Sequence, residues 1–116
     1  MLQTTGLTLH YGASQILHGI DFVARAGEVT CIMGTNGVGK TSFLKALSGT
    51  HPRSGGSLVM DGQNLPKLPP QAMARRGLGY VPQGRMIFPL LTAAENLATA
   101  FAVPPKSMTF SRCCRI

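Results

Sequence analysis

The residues best suited to chemistry lie between positions 34 and 42, in a run rich in glycine. Gly34, Gly39, Lys40 and Thr41 satisfy the spacing G-x-x-x-x-G-K-[ST] of the phosphate-binding P-loop. Glycines let the backbone turn tightly and present N–H groups without an obstructing Cβ. The loop leads into a predicted helix N-terminus, where unpaired N–H groups and the helix dipole favour an anion. The spacing therefore predicts a site for the phosphates of a nucleoside triphosphate.

Two side chains of this motif have separate chemical tasks. Lys40 supplies a mobile positive charge for the β- and γ-phosphates, and Thr41 supplies a hydroxyl to a Mg²⁺ ion that bridges them. The alternative is an ordinary glycine-rich turn between a strand and a helix. We assign nucleotide binding to nine consecutive residues: Gly34, Thr35, Asn36, Gly37, Val38, Gly39, Lys40, Thr41 and Ser42.

The loop must be held by the elements on either side of it. Val29–Met33 is a short apolar run rich in β-formers, which predicts a buried strand with Cys31 in the core. Residues 41–48 predict a helix that ends at Gly49. Upstream, the apolar positions within 2–10 and 16–23 predict an antiparallel β element ahead of the P-loop strand.

Short elements separated by Gly and Pro follow the P-loop helix. We predict a loop at 50–56, a strand at 57–60, a hairpin turn at Asp61-Gly62, a helix at 71–76 and a strand at Leu78–Val81. Thr92 and Glu95 have the spacing of a capping box, which predicts a helix from Ala93 to about Ala102. Residues 104–116 have neither helical nor strand periodicity.

Composition limits the class of protein. The chain has 116 residues, 44% of them hydrophobic, and a net charge of +7. Its Lys and Arg residues are scattered with little aromatic interleaving, so we expect no nucleic-acid partner. Cys31, Cys113 and Cys114 indicate neither a disulfide framework nor a zinc site. Because the sequence has no signal-peptide pattern and no run of about 18 apolar residues, we expect a cytosolic protein.

Three motifs follow one another along the chain: the aromatic Tyr11, the P-loop, and Tyr80-Val81-Pro82-Gln83 after a predicted strand. Together they resemble the nucleotide-binding domain of ABC transporters. The segment 80–97 is similar to the branched-chain amino acid and urea uptake ATPases, and the opening residues favour the urea member. The resemblance covers about residues 1–103. It implies an α/β fold, namely a partial P-loop NTPase domain whose later core strands are absent. The aperiodic tail at 104–116 lies beyond that range and suggests a frameshift.

The resemblance also implies roles for individual residues, and ATP with Mg²⁺ as cofactors. Tyr11 would stack on adenine, although a tyrosine at a strand edge is the plain alternative. Gln83 would reach Mg²⁺ and the attacking water, although a solvated loop glutamine is the alternative. Met86–Leu91 would dock on transmembrane permease subunits, or else form a small core fragment. The family member would be a dimer on the inner face of the plasma membrane.

Several residues that phosphoryl transfer needs are not found in the sequence. There is no signature loop of the Leu-Ser-Gly-Gly-Gln type and no apolar strand ending in Asp-Glu. Asp61 follows an apolar run, but Gly62 after it indicates a turn. All three histidines (His10, His18 and His51) precede Gln83, so none has the position of the family's switch histidine.

We therefore expect the ATP-binding part of an importer ATPase for urea or branched-chain amino acids, without hydrolysis of its own. Three alternatives remain open. They are another P-loop enzyme such as a small-molecule kinase or GTPase, a non-catalytic subunit that docks on a membrane partner, and a product that does not fold.

Overall fold

A computed structural model describes residues 1–84 and 86–101. Four strands in this part of the chain form one antiparallel sheet in the order β2-β1-β3-β4. Their bounds are β1 Leu2–Tyr11, β2 Ser14–Ala24, β3 Gly55–Met60 and β4 Gln63–Asn64. The predicted N-terminal antiparallel element is confirmed, and the turn at Asp61-Gly62 joins β3 to β4 as a hairpin.

The sequence of β1 explains which side of the sheet faces the core. Leu2 and Thr4 are buried, and after a break in the alternation Leu7 and Leu9 are buried as well. The break coincides with a β-bulge, where Gly6 has φ 57° and the pairing with β2 shifts between Thr4 and Leu7. A bulge inserts one residue and changes the phase of the side chains. Both halves of the strand therefore face the same core.

Three helices complete the described residues: α1 Lys40–Ser48, α2 Pro70–Arg75 and α3 Ala93–Phe101. Helix α1 buries Phe43, Ala46 and Leu47, and Phe43 packs edge-to-face on Phe22 of β2 with ring centroids 5.2 Å apart. Gly49 caps the C-terminus of α1, and its φ of 75° is the left-handed conformation typical of that position. The predicted P-loop helix is thus present and packs on the sheet.

Two predicted strands are wrong. Val29–Met33 and Leu78–Val81 have no strand assignment, and Val29 and Met33 are 77% and 90% exposed. Cys31, predicted in the core, is exposed. A β-rich sequence forms a strand only when a neighbour pairs with its N–H and C=O groups. Within the described residues, the four-stranded sheet pairs with neither segment.

The predicted capping box is present at the start of α3. Glu95 Oε2 accepts hydrogen bonds of 2.8 Å from both the N–H and the Oγ of Thr92, and Glu95 N–H donates to Thr92 Oγ at 3.3 Å. The bond from the Thr92 backbone, followed by that from its hydroxyl, holds the pKa of Glu95 below its ordinary value. The helix reaches Phe101, and both Ala102 and the predicted tail 104–116 lie outside the described residues.

Candidate functional site

The P-loop lies between the segment 29–33, which has no assigned secondary structure, and helix α1. Gly37 and Gly39 have φ of 83° and 100°, a left-handed conformation that side chains with a Cβ rarely adopt. Gly39 caps α1 without a side-chain hydrogen bond, and its carbonyl accepts the N–H of Phe43 at 2.8 Å. The N–H groups of the first helical turn have no acceptor inside the helix. These N–H groups are available to an anion at the N-terminus of α1.

Lys40 places a positive charge on the loop itself. Its Nζ donates to the carbonyl oxygens of Gly34 at 2.6 Å and Thr35 at 2.7 Å. An ammonium has three donors, so one remains for a further acceptor. These two bonds hold the positive charge of Lys40 against the loop, where a bound phosphate would contact it.

The loop packs against the start of β2. A Cβ built on Gly39 would lie 3.0 Å from Leu17 Cδ2 and 3.3 Å from Ile16 Cγ2. Leu17 pairs with Leu9 of β1, and the last pair of the same ladder joins Tyr11 to Ser14. The sheet therefore brings Tyr11 to the same end of the molecule as the P-loop.

The ring of Tyr11 already has an aromatic neighbour. Its centroid lies 4.4 Å from that of His51, and the ring planes are tilted by 41°. Tyr11 remains 39% exposed, so part of its surface is free for a base. His51, which the sequence indicated only as a loop residue, is therefore next to the candidate base-stacking residue. The sequence offers one related feature. His51 precedes the predicted strand 57–60, which in the structure is part of β3 and pairs with β1.

The predicted metal ligands are both exposed but are not joined to each other. Thr41 lies in the first turn of α1, and Gln83 lies in a turn with Gly84. Across residues 1–84 and 86–101, no hydrogen bond joins the Gln83 side chain to the P-loop. The Thr41 hydroxyl is an oxygen ligand of the kind that Mg²⁺ binds. Phosphate oxygens and water would supply the other ligands. The role of Gln83 stays a prediction.

Carboxylates are few and none is held at the P-loop by a described contact. The chain has four of them. Asp21 Oδ1 accepts the N–H of Gly6 at 2.6 Å, Asp61 pairs with the amino group of Met1, and Glu95 belongs to the capping box. Glu28 is exposed in the turn after β2. Among the described residues, no group of three or more His, Cys, Asp or Glu could hold a metal ion.

The segment Met86–Leu91, which we call the apolar patch, projects into solvent. Met86 is 79% exposed and Leu90 is 96% exposed. Asn96 of α3 holds the segment in place, because its Oδ1 accepts the N–H of Phe88 at 2.9 Å and its Nδ2 donates to the carbonyl of Leu91 at 3.1 Å. The alternative of a small buried core fragment is therefore wrong for these residues. No described helix is both long and apolar enough to cross a membrane.

Comparison with known proteins gives a consistent result. The family profile described as ABC transporter matches residues 17–113. The chain is 36% identical over 98 residues to the high-affinity branched-chain amino acid transport ATP-binding protein BraG of Pseudomonas aeruginosa, covering 84% of this chain and 42% of BraG. It is 31% identical over 102 residues to the lipopolysaccharide export system ATP-binding protein LptB of Escherichia coli K12, covering 88% and 42%.

Solved structures agree with these relatives. One described as the ATP binding subunit of an ABC transporter superposes with a TM-score of 0.77 at 27% identity, covering 89% of this chain and 42% of that one. The dimeric bacterial ABC transporter cassette MJ0796 gives a TM-score of 0.77 at 23% identity, with 95% and 50% covered, which shows the fold alone. The chain thus spans 42% of the length of BraG and of LptB.

Proposed function

Because the chain belongs to the ABC transporter family and carries part of its ATP-binding domain, we propose that residues 34–42 hold the triphosphate of ATP. The observation that carries this proposal is the arrangement of groups at the N-terminus of α1. There the left-handed Gly37 and Gly39 precede free N–H groups, and Lys40 Nζ lies 2.6 Å from the Gly34 carbonyl. A helix N-terminus with an adjacent ammonium is the arrangement that favours a multiply charged anion.

The other parts of the nucleotide would meet residues at the same end of the sheet. The base would lie on the exposed surface of Tyr11, and the Thr41 hydroxyl would join the Mg²⁺ that bridges the phosphates. Gln83 would approach that ion from the turn before the apolar patch. These assignments rest on the family resemblance together with the positions of the residues in the fold.

Binding is not turnover. Phosphoryl transfer needs groups that hold Mg²⁺ and orient the attacking water, usually including carboxylates. Three of the four carboxylates are engaged elsewhere: Asp21 with Gly6, Asp61 with Met1, and Glu95 with Thr92. We therefore expect this chain by itself to show no measurable hydrolysis of ATP. We also expect it to bind ATP weakly, because it carries only part of the ATP-binding domain.

Thermal unfolding followed by circular dichroism tests the binding proposal. A ligand that binds only the folded state raises its stability, by about 2.7 kcal/mol at 100 times the dissociation constant. We expect Mg-ATP to raise the midpoint and Mg-AMP, which lacks the β- and γ-phosphates, to raise it much less at the same concentration. Equal midpoints with ATP, with AMP and without nucleotide would contradict the proposal.

For the transported solute, we propose urea or a branched-chain amino acid. The similarity of residues 80–97 to those uptake ATPases supports it, as does the likeness to BraG, whose name specifies branched-chain amino acid transport. Other relatives have names that specify other solutes, such as the ribose import ATP-binding protein RbsA of Geobacillus kaustophilus.

A second candidate function, docking on a transmembrane permease subunit, is supported by the apolar patch. Exposed apolar residues in a contiguous group mark interaction surfaces, and this group is held in place by Asn96 rather than buried. Docking there, and pairing with a second ATPase subunit, would put the chain at the inner face of the plasma membrane.

Co-purification with the permease subunits of a branched-chain amino acid importer tests this docking. We expect the double substitution Phe88→Ser and Leu90→Ser to reduce capture at least about fivefold, because both side chains lie outside the folded core. Val23→Ser, on the exposed face of β2, is the matched control and should leave capture unchanged. Undiminished capture of the double variant would exclude the apolar patch as the docking surface.

A further inference from the structure

We infer that His51 is a positioning residue that holds the ring of Tyr11 in place for the nucleotide base. The inference rests on the proposed function and deepens it, because it separates the base-binding part of the site from the phosphate-binding part. It follows from three contacts of His51: one with the Tyr11 ring, one with the end of β1 and one with helix α1.

The first two contacts fix the imidazole on the strand that carries Tyr11. The rings of Tyr11 and His51 are 4.4 Å apart between centroids, and His51 Nε2 lies 3.0 Å from the carbonyl oxygen of His10. A carbonyl only accepts, so Nε2 carries the proton. One edge of the imidazole is therefore bound to the residue before Tyr11 while its ring packs on Tyr11 itself.

The loop that carries His51 is fastened to β1 as well. Ser54 N–H donates to the carbonyl of Thr8 at 2.8 Å, and Ser54 Oγ accepts the N–H of His10 at 3.0 Å and lies 2.9 Å from His10 Nδ1. Buried Arg53 donates from Nη2 to the carbonyl of Leu65 at 2.5 Å. A loop with this many anchors can hold a side chain in one orientation.

The third contact joins His51 to the helix that begins at the P-loop. The N–H of His51 donates to the carbonyl of Lys45 in α1 at 3.2 Å. His51 therefore links the helix with the phosphate site at its start to the strand with Tyr11 at its end. A tyrosine held in one orientation stacks on a base with less loss of side-chain freedom than a mobile one.

Comparison of two ligands tests this role. ATP uses both the base and the phosphates, whereas inorganic tripolyphosphate uses the phosphates alone. We expect His51→Ala to weaken ATP binding about three- to tenfold and to leave tripolyphosphate binding unchanged, since an aromatic pair has about that effect. His51→Phe keeps a ring beside Tyr11 and should restore ATP binding to within about twofold of the original chain. His18→Ala, on the exposed part of β2, is the matched control.

The possible results separate this inference from the proposal on which it rests. A selective loss for ATP in His51→Ala, with rescue in His51→Phe, supports it. An equal loss for ATP and tripolyphosphate would overturn it, because His51 would then act only through folding. Unchanged ATP binding in His51→Ala would also overturn it and leave the phosphate site standing. If the original chain binds neither ligand, the proposed function and this inference both fail.

Discussion

Replacing Lys40 by alanine is expected to lower the affinity for tripolyphosphate and for Mg-ATP by about tenfold to a hundredfold. Hydrogen bonds to charged groups contribute about 1.5–3 kcal/mol each, and each 1.4 kcal/mol corresponds to about a factor of ten. The ammonium already lies against the loop, bonded to the carbonyls of Gly34 and Thr35. A phosphate that enters the loop therefore meets this charge directly, and the loss should be the same for both ligands.

Isothermal titration at one fixed ionic strength is the appropriate measurement, because salt screens exposed charges. Lys45→Ala is the matched control, since it removes the same charge from the other end of α1. We expect that variant to keep its affinity within about twofold, as the helix dipole favours an anion only at the N-terminus. If both substitutions weaken binding equally, the net charge of the chain and not the P-loop binds the phosphates.

Replacing Gly56 by alanine is expected to cost about 3 kcal/mol or more of the free energy of unfolding, in the range of the most damaging single substitutions. Gly56 has φ 81°, and a Cβ there would lie 2.4 Å from the Gly6 carbonyl oxygen and 2.6 Å from Leu7 Cα. Both atoms are backbone of β1 at its bulge, so neither can rotate away. The β1–β3 pairing, which also holds the loop of His51 beside Tyr11, would have to open.

Gly62→Ala separates this clash from the cost of the backbone conformation. Gly62 has φ 79°, almost the same as Gly56, but a Cβ there meets nothing within 4 Å. We expect it to cost only about 1–2 kcal/mol, the penalty of left-handed backbone for a residue with a Cβ. Urea unfolding of the two variants gives both values. Equal losses would mean that β1 and β3 do not approach as closely as the structure has them.

The local features of the site could be predicted because their causes are local. The spacing of Gly34, Gly39 and Lys40 specifies a loop at a helix start, and Gly49 specifies where that helix ends. The capping box of Thr92 and Glu95 needs only four consecutive residues. In each case, short-range sterics and hydrogen bonds decide the structure, so the residues alone carry the information.

The strand prediction that was wrong and the contact that was not predicted both depend on distant parts of the chain. Val29–Met33 has the composition of a strand, but a strand requires a partner, and the described residues provide none. The contact between His51 and Tyr11 depends on the pairing of β1 with β3, which joins residues far apart in sequence. No periodicity within either segment reveals that pairing.

An amide-resolved NMR titration of the chain with tripolyphosphate shows directly whether the N-terminus of α1 binds phosphate. We expect the largest, saturable shifts at the N–H groups of residues 37–42, with little change at the basic pair Arg75-Arg76 at the end of α2. If the shifts fall mainly on Arg75-Arg76, or if residues 37–42 do not shift, the N-terminus of α1 is not the phosphate-binding site.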